Sequence, residues 1–172
     1  MRYLKFLIIS LIVLFFLLTT IGLLMPSVVM VGRSTSIKAP IDSIRFYTND
    51  PAQWRTWING ADTSYYKQLT PSTTQKGSKL MLGTYTVTVL ENDADTIFTL
   101  WQGQSSKEQI NKLDLYYDNK KDSTFVNWAF QQRLSWYPWE RLGAMLYDKV
   151  YGPSMEASLQ KLKGVCEKNE HQ

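Results

Sequence analysis

Cysteine and histidine are almost missing from this chain: Cys166 and His171 are the single members of their kinds. One thiol can form neither an internal disulfide nor a cysteine-built metal site. One imidazole, placed next to the C-terminus, leaves no Ser-His-Asp or Cys-His arrangement and no histidine-built zinc centre to consider. No metal and no cofactor are expected. Charge of one sign is not concentrated either: 19 Lys and Arg stand against 15 Asp and Glu, and the basic pair Lys120-Lys121 lies in a turn. Nucleic-acid binders carry a basic patch or stripe, so nucleic acid is not an expected partner. Internal repeats and low-complexity segments are also lacking outside one stretch near the N-terminus.

That stretch lacks charge altogether. Phe6 to Met25 contains 15 Leu, Ile, Phe or Val among its 20 positions, follows Arg2 and Lys5, and stops at Pro26. As a helix rising about 1.5 Å per residue it reaches roughly 30 Å, the thickness of a bilayer's hydrocarbon core. A cleaved signal peptide has a shorter apolar run that ends at small residues, whereas Leu23, Leu24 and Met25 stand at that point here. The expectation is an uncleaved single-pass anchor: residues 1–26 form a cytoplasmic tail and transmembrane helix, and residues 27–172 form one domain. Arg2 and Lys5 favour a cytoplasmic N-terminus with the domain on the extracytoplasmic side.

The domain opens with a β-branched strand at Val28–Lys38. A short helix over Ile41–Tyr47 follows, then a second short helix with Asp50 as N-cap, Pro51 at its first position and Trp54 and Trp57 on one face. Beyond Gly60 the period becomes two. A short strand is expected at Ser64–Leu69, and Thr84–Val89 alternates strictly, sending Tyr85 and Val87 to one face. Thr96–Gln102, Glu108–Tyr117 and Thr124–Leu134 continue a meander of about six antiparallel strands. A helical segment from Trp139 to Lys168 carries Leu142, Leu146 and Val150 at spacings of four, then Met155, Leu159, Leu162 and Cys166. Gly152-Pro153 interrupts that stripe and predicts a kink or restart.

A twisted sheet wrapped around an amphipathic helix leaves a cavity between them, and the domain is rich in rings, with 4 Phe, 9 Tyr and 6 Trp. Strand and helix parity give the expected lining of a ligand cavity: Trp54 and Trp57 from the short helix; Tyr85, Val87, Phe98 and Leu100; Leu113, Leu115 and Tyr117; Val126, Trp128 and Phe130; and Leu142 and Leu146 from the closing helix. No catalytic residue is assigned. Asp114 alternates with Leu113 and Leu115 and so belongs to the solvent face, while Glu140, Asp148 and Arg133 read as surface charges.

The segment RSTSIKAPIDSIRFYTNDPAQWRTWI at 33–58, with Ile37, Ala39, Pro40, Trp54 and Trp57, resembles the opening of the START-like, SRPBCC superfamily, which includes polyketide cyclase/dehydrase-like proteins. RLGAMLYDKVYGPSMEASLQKLKGVCE at 141–167 is similar to that superfamily's closing helix. One departure is the single glycine of Gln75-Lys76-Gly77-Ser78-Lys79, where many relatives carry G-x-G. The resemblance implies an α+β helix-grip fold, with a curved antiparallel sheet of six to seven strands wrapped around a long C-terminal helix and two short helices after strand 1. To this the chain adds its N-terminal transmembrane helix. The implied function is membrane-anchored binding of a hydrophobic or amphipathic small molecule, lipids being one such class. Two alternatives stand beside it: a protein-interaction accessory module of a membrane complex, and a cyclase, dehydratase or hydrolase acting on a hydrophobic substrate. Expected partners are the bilayer and a hydrophobic small molecule.

Overall fold

A computed structural model describes residues 2–59, 65–103 and 107–168. Helix α1 (Arg2–Leu24) leads into strand β1 (Val28–Ile37). Helix α2 (Ile41–Thr48) and a 3-10 helix (Pro51–Thr56) follow, then β2 (Lys67–Gln68), β3 (Lys79–Leu82), β4 (Tyr85–Asn92), β5 (Thr96–Gly103), β6 (Gln109–Asp118) and β7 (Ser123–Arg133). Helices α3 (Pro138–Ala144) and α4 (Tyr147–Lys168) close the chain. The strands form one seven-stranded sheet in the order β1-β7-β6-β5-β4-β3-β2. Every pairing is antiparallel, and the first strand returns to pair with the last, Val28 opposite Arg133 and Ile37 opposite Thr124.

The punctuation read from the sequence acts as its chemistry requires. The Asp50 carboxylate accepts from the Ala52 N–H at 2.9 Å with Pro51 at the first position, which satisfies a donor the short helix leaves free. Trp54 and Trp57 are then driven fully inside. Their indole N–H groups donate to the carbonyls of Thr48 and Tyr47 at 2.8 and 3.0 Å, so burying two large rings leaves no orphan donor. Met155, Leu159, Leu162 and Cys166 form the buried stripe of α4 and meet the inner face of the sheet through Val31, Ile37, Val126 and Leu113. Each such aliphatic side chain stabilises the fold by about 1.5–3 kcal/mol.

Two expectations about the C-terminal helix are corrected. The interruption falls at Met145 and Leu146, where N–H groups bond three residues back, and Pro153 sits inside α4. Two docking demands place the break there: α4 follows the sheet, while α3 follows α1. The nearest atoms to a Cβ placed on Gly152 would be those of the Arg33 guanidinium, which reaches from β1 to Asp148 and Glu156 of α4 at 2.7 and 2.6 Å. The spacing of Leu142, Leu146 and Val150 does not mark a core face: Leu146 and Val150 are exposed, and Leu142 is half-buried. Of the strand expected at Ser64–Leu69, Lys67–Gln68 form a strand against β3 and Leu69 adds one backbone bond to the Lys79 carbonyl, while Ser64, like His171, lies outside the described residues.

Helix α1 is long and apolar enough to cross a membrane, and Gly22 is its one buried residue among those described. At Gly22 it meets α3. A Cβ on Gly22 would stand 3.2 Å from the Pro138 Cα, and Arg141 donates through Nη1 to the Gly22 and Met25 carbonyls at 3.2 and 2.6 Å. A guanidinium thus caps the open carbonyls at the negative end of the helix.

Candidate functional site

Between α4 and the inner face of the sheet lies a cavity of about 190 Å³. Its walls begin with β-strand parity. Tyr85 of β4, Trp101 of β5, Asn111 and Gln109 of β6, and Trp128 and Phe130 of β7 all turn to the helix side, and Tyr151, Ser154 and Met155 of α4 close the opposite wall with Ile58 and Asn59. The rings support one another behind the lining. Trp101 stacks on Trp54 at 5.9 Å and tilts against Tyr85 and Trp128 at 5.7 and 6.4 Å, Trp57 meets Trp128 edge-on at 5.8 Å, and Phe130 meets Tyr151 at 5.1 Å. Interlocked rings of this kind cannot swing into the space they border.

The polar groups are few and fixed. Trp101 Nε1 donates to Thr99 Oγ1 at 3.0 Å, Trp128 Nε1 donates to Asn111 Oδ1 at 3.0 Å, and Gln109 Nε2 donates to Gln132 Oε1 at 3.0 Å. The bond from Trp128 sets which way the Asn111 amide points. Its Nδ2 is then left buried with no hydrogen-bond partner among the described residues, although Asn111 is only 4% exposed. An unmatched donor of this kind costs about 1–3 kcal/mol. Burial pushes the Tyr85 and Tyr151 phenols above their ordinary range; for Tyr151 the neighbouring Tyr147 adds to the rise and a hydrogen bond with Gln109 opposes it. Both are neutral donors near pH 7. No Asp, Glu, Lys or Arg is among the described residues lining the cavity, and no group of three or more His, Cys, Asp or Glu among the described residues could hold a metal ion.

Of the residues expected to line a cavity, Tyr85, Trp128 and Phe130 do border it. Trp54, Trp57, Val87, Leu113, Leu115 and Val126 are packed core behind or beside it. Phe98 and Leu100 stand on the outer face, Phe98 under the Lys112 ammonium and Leu100 beside Ile110 in an open groove. Tyr117 is 40% exposed and donates to Asp122, while Leu142 and Leu146 belong to the α3–α4 junction. The error in β5 has a physical source. Apolar side chains occupy both parities at Ile97, Phe98, Leu100 and Trp101, and the register slips at a bulge between Val89 and Glu91. Asn111 and Gln109, by contrast, follow from the β6 parity already read at Leu113 and Leu115.

Several charges outside the cavity are held in pairs. Asp114 bonds Lys112 and Asn127 on the outer face. Glu140 is a correction, since it is largely buried, not a surface charge. Burial pushes its carboxyl up, but the Lys107 ammonium and the Ser135 N–H outweigh that and hold it below the usual range. Cys166, sealed in the core, has its thiol pushed up to about 12 by burial, which leaves it unreactive.

No family model matches the chain, and no curated protein matches it in sequence. Solved structures do match. A protein from Nitrosospira multiformis superposes with a TM-score of 0.65 at 14% identity, covering 83% of this chain and 99% of its own. A START superfamily protein from Mycobacterium smegmatis gives 0.61 at 16% identity, with 81% and 98% covered. CalU16 from Micromonospora echinospora gives 0.57 at 16% identity, with 80% of this chain and 65% of that one covered. The likeness establishes the architecture, an α+β helix-grip of the START kind.

Proposed function

We propose that residues 27–172 bind a small hydrophobic molecule bearing a hydrogen-bond acceptor, held between the sheet and α4, and that α1 tethers this domain to a membrane with the N-terminus on the cytoplasmic side. The observation that carries the reading is the Asn111 amide, a buried donor without a partner among the described residues, in a wall of which half the other residues are aromatic rings. An acceptor on a bound molecule would complete it. The helix-grip likeness supports the same reading, since that fold suggests a hydrophobic ligand.

The dimensions narrow the ligand. A cavity of ~150 Å³ is enough for benzene, so about 190 Å³ suits one ring system or the end of one chain rather than a whole two-chain lipid. With no charged group in its described lining, the site suits binding better than acid-base chemistry. Two features support an uncleaved tether. A soluble core helix would be buried, whereas α1 buries only Gly22 among its described residues; and Arg141 and Pro138 grip its end, a contact a removed leader would not need.

The experiment is organic extraction of the full chain purified from membranes in mild detergent, followed by mass spectrometry. A single hydrophobic compound near stoichiometric amount is expected, falling several-fold in Asn111→Ala. Recovery of nothing, together with no binding of small aromatic probes, would contradict the proposal.

A further inference from the structure

We infer that α3 and the residues flanking it form a second membrane contact, an aromatic and apolar face lying in the headgroup zone of the bilayer that α1 crosses. This rests on the tether proposed above and adds what that reading leaves open, namely how the domain is held against the lipid.

Depth is fixed by the α1–α3 junction. Gly22 lies in the last turn of the apolar run, and Pro138 and Arg141 are packed directly on it. An apolar run that spans the hydrocarbon core puts its last turn at the boundary with the headgroups, so α3 begins at that level. Tryptophan and tyrosine are favoured there because they present an apolar body and a polar edge. Trp136, Tyr137 and Trp139 are 52%, 39% and 63% exposed and lie ring against ring at 4.7 and 5.0 Å. Met145, Leu146 and Val150 continue the exposed apolar surface towards α4.

Asp148, farther along, is paired with Arg33, and the exposed Lys149 carries a cation that the headgroup phosphates can meet; within α3 itself the charges are accounted for elsewhere. Glu140 is held by Lys107 and the Ser135 N–H, and Arg141, 9% exposed, is spent on the carbonyls of Gly22, Met25 and Ser135. The α3 surface therefore offers rings and aliphatic groups without a charge that must stay in water. A soluble domain scatters its exposed apolar residues singly; here six fall within 15 positions, continuous with a helix built for lipid. The contact also sets the domain's attitude. Gln132 and Tyr147, which flank α3 in sequence and bond each other at 3.3 Å, adjoin the cavity residues Phe130, Gln109 and Tyr151. The cavity end of the sheet is thereby turned to the bilayer.

The test uses the full chain in phosphatidylcholine vesicles containing lipid brominated near the top of the acyl chain, which quenches nearby indoles. All six tryptophans belong to the domain; Trp54, Trp57, Trp101 and Trp128 are buried and Trp136 and Trp139 are not. Quenching of roughly a third of the emission, two indoles in six, is expected, and its near-complete loss in the W136F/W139F double variant, whose thermal midpoint should stay at the wild-type value because both side chains are exposed. Equal quenching in both proteins, or none in vesicles that float the chain, would overturn the inference while leaving the tether standing. Failure of the chain to float with vesicles would remove the tether and this contact together. A blue shift that grows with the density of chain per vesicle, without quenching by bromine, would assign the face to a second copy and overturn the membrane contact.

Discussion

Asn111 is placed where an apolar residue would cost less. Its oxygen holds the Trp128 indole while its Nδ2 goes unmatched among the described residues, so the pair can be separated by mutation. Trp128→Phe alone should destabilise the domain by about 1–3 kcal/mol, because it strands the Asn111 oxygen as well, whereas combining it with Asn111→Leu removes both polar partners and should recover much of that loss. Urea unfolding of the single and the double variant beside the wild type checks this. Glu140 gives a pH signature. Its carboxyl is held below the ordinary value in the folded chain, so its contribution is fully present above the unfolded pKa, about 4.3, and is lost as pH falls through the lower folded value. Thermal midpoints measured from pH 7 down to 3 should fall more steeply in the wild type than in Glu140→Gln. At this scale the sequence was legible where parity was clean. Leu113 and Leu115 imply Asn111 and Gln109, but the mixed apolar content of β5 gave no sign that Thr99 and Trp101 point inward and Leu100 outward.

Among the elements, the meander and the capped turn at Asp50-Pro51 could be read because each depends on neighbours in sequence. The break between α3 and α4 could not, because it is set by partners far along the chain: α1 through Arg141, and β1 through Arg33. The same remoteness explains Gly152, which looks like a helix breaker but serves as the gap through which the Arg33 guanidinium crosses α4. Gly152→Ala should therefore push the Arg33 guanidinium off Asp148 and Glu156, a small loss for exposed pairs that offsets the gain of about 1 kcal/mol in helix propensity and leaves the thermal midpoint near the wild-type value. A midpoint raised by the same substitution in an Arg33→Ala background, but not in the wild type, would identify the crossing as the cause.

For the molecule as a whole, an apolar helix and a helix-grip domain meet at the Gly22–Pro138–Arg141 junction, and a small cavity lies within the domain between α4 and the sheet. The intact mass of the chain isolated from membranes should include residues 1–26, and loss of that segment would remove the tether from the account. The central claim, that the cavity receives a hydrophobic molecule through an acceptor, is tested most directly by a matched pair of probes. Acetophenone and ethylbenzene have similar bulk and differ in one carbonyl. Titrated into the full chain by calorimetry, acetophenone should bind roughly threefold or more tighter, the worth of one hydrogen bond to a buried donor, and Asn111→Ala should abolish that preference while sparing ethylbenzene. Equal affinities in the wild type, or no binding of either compound, would contradict it.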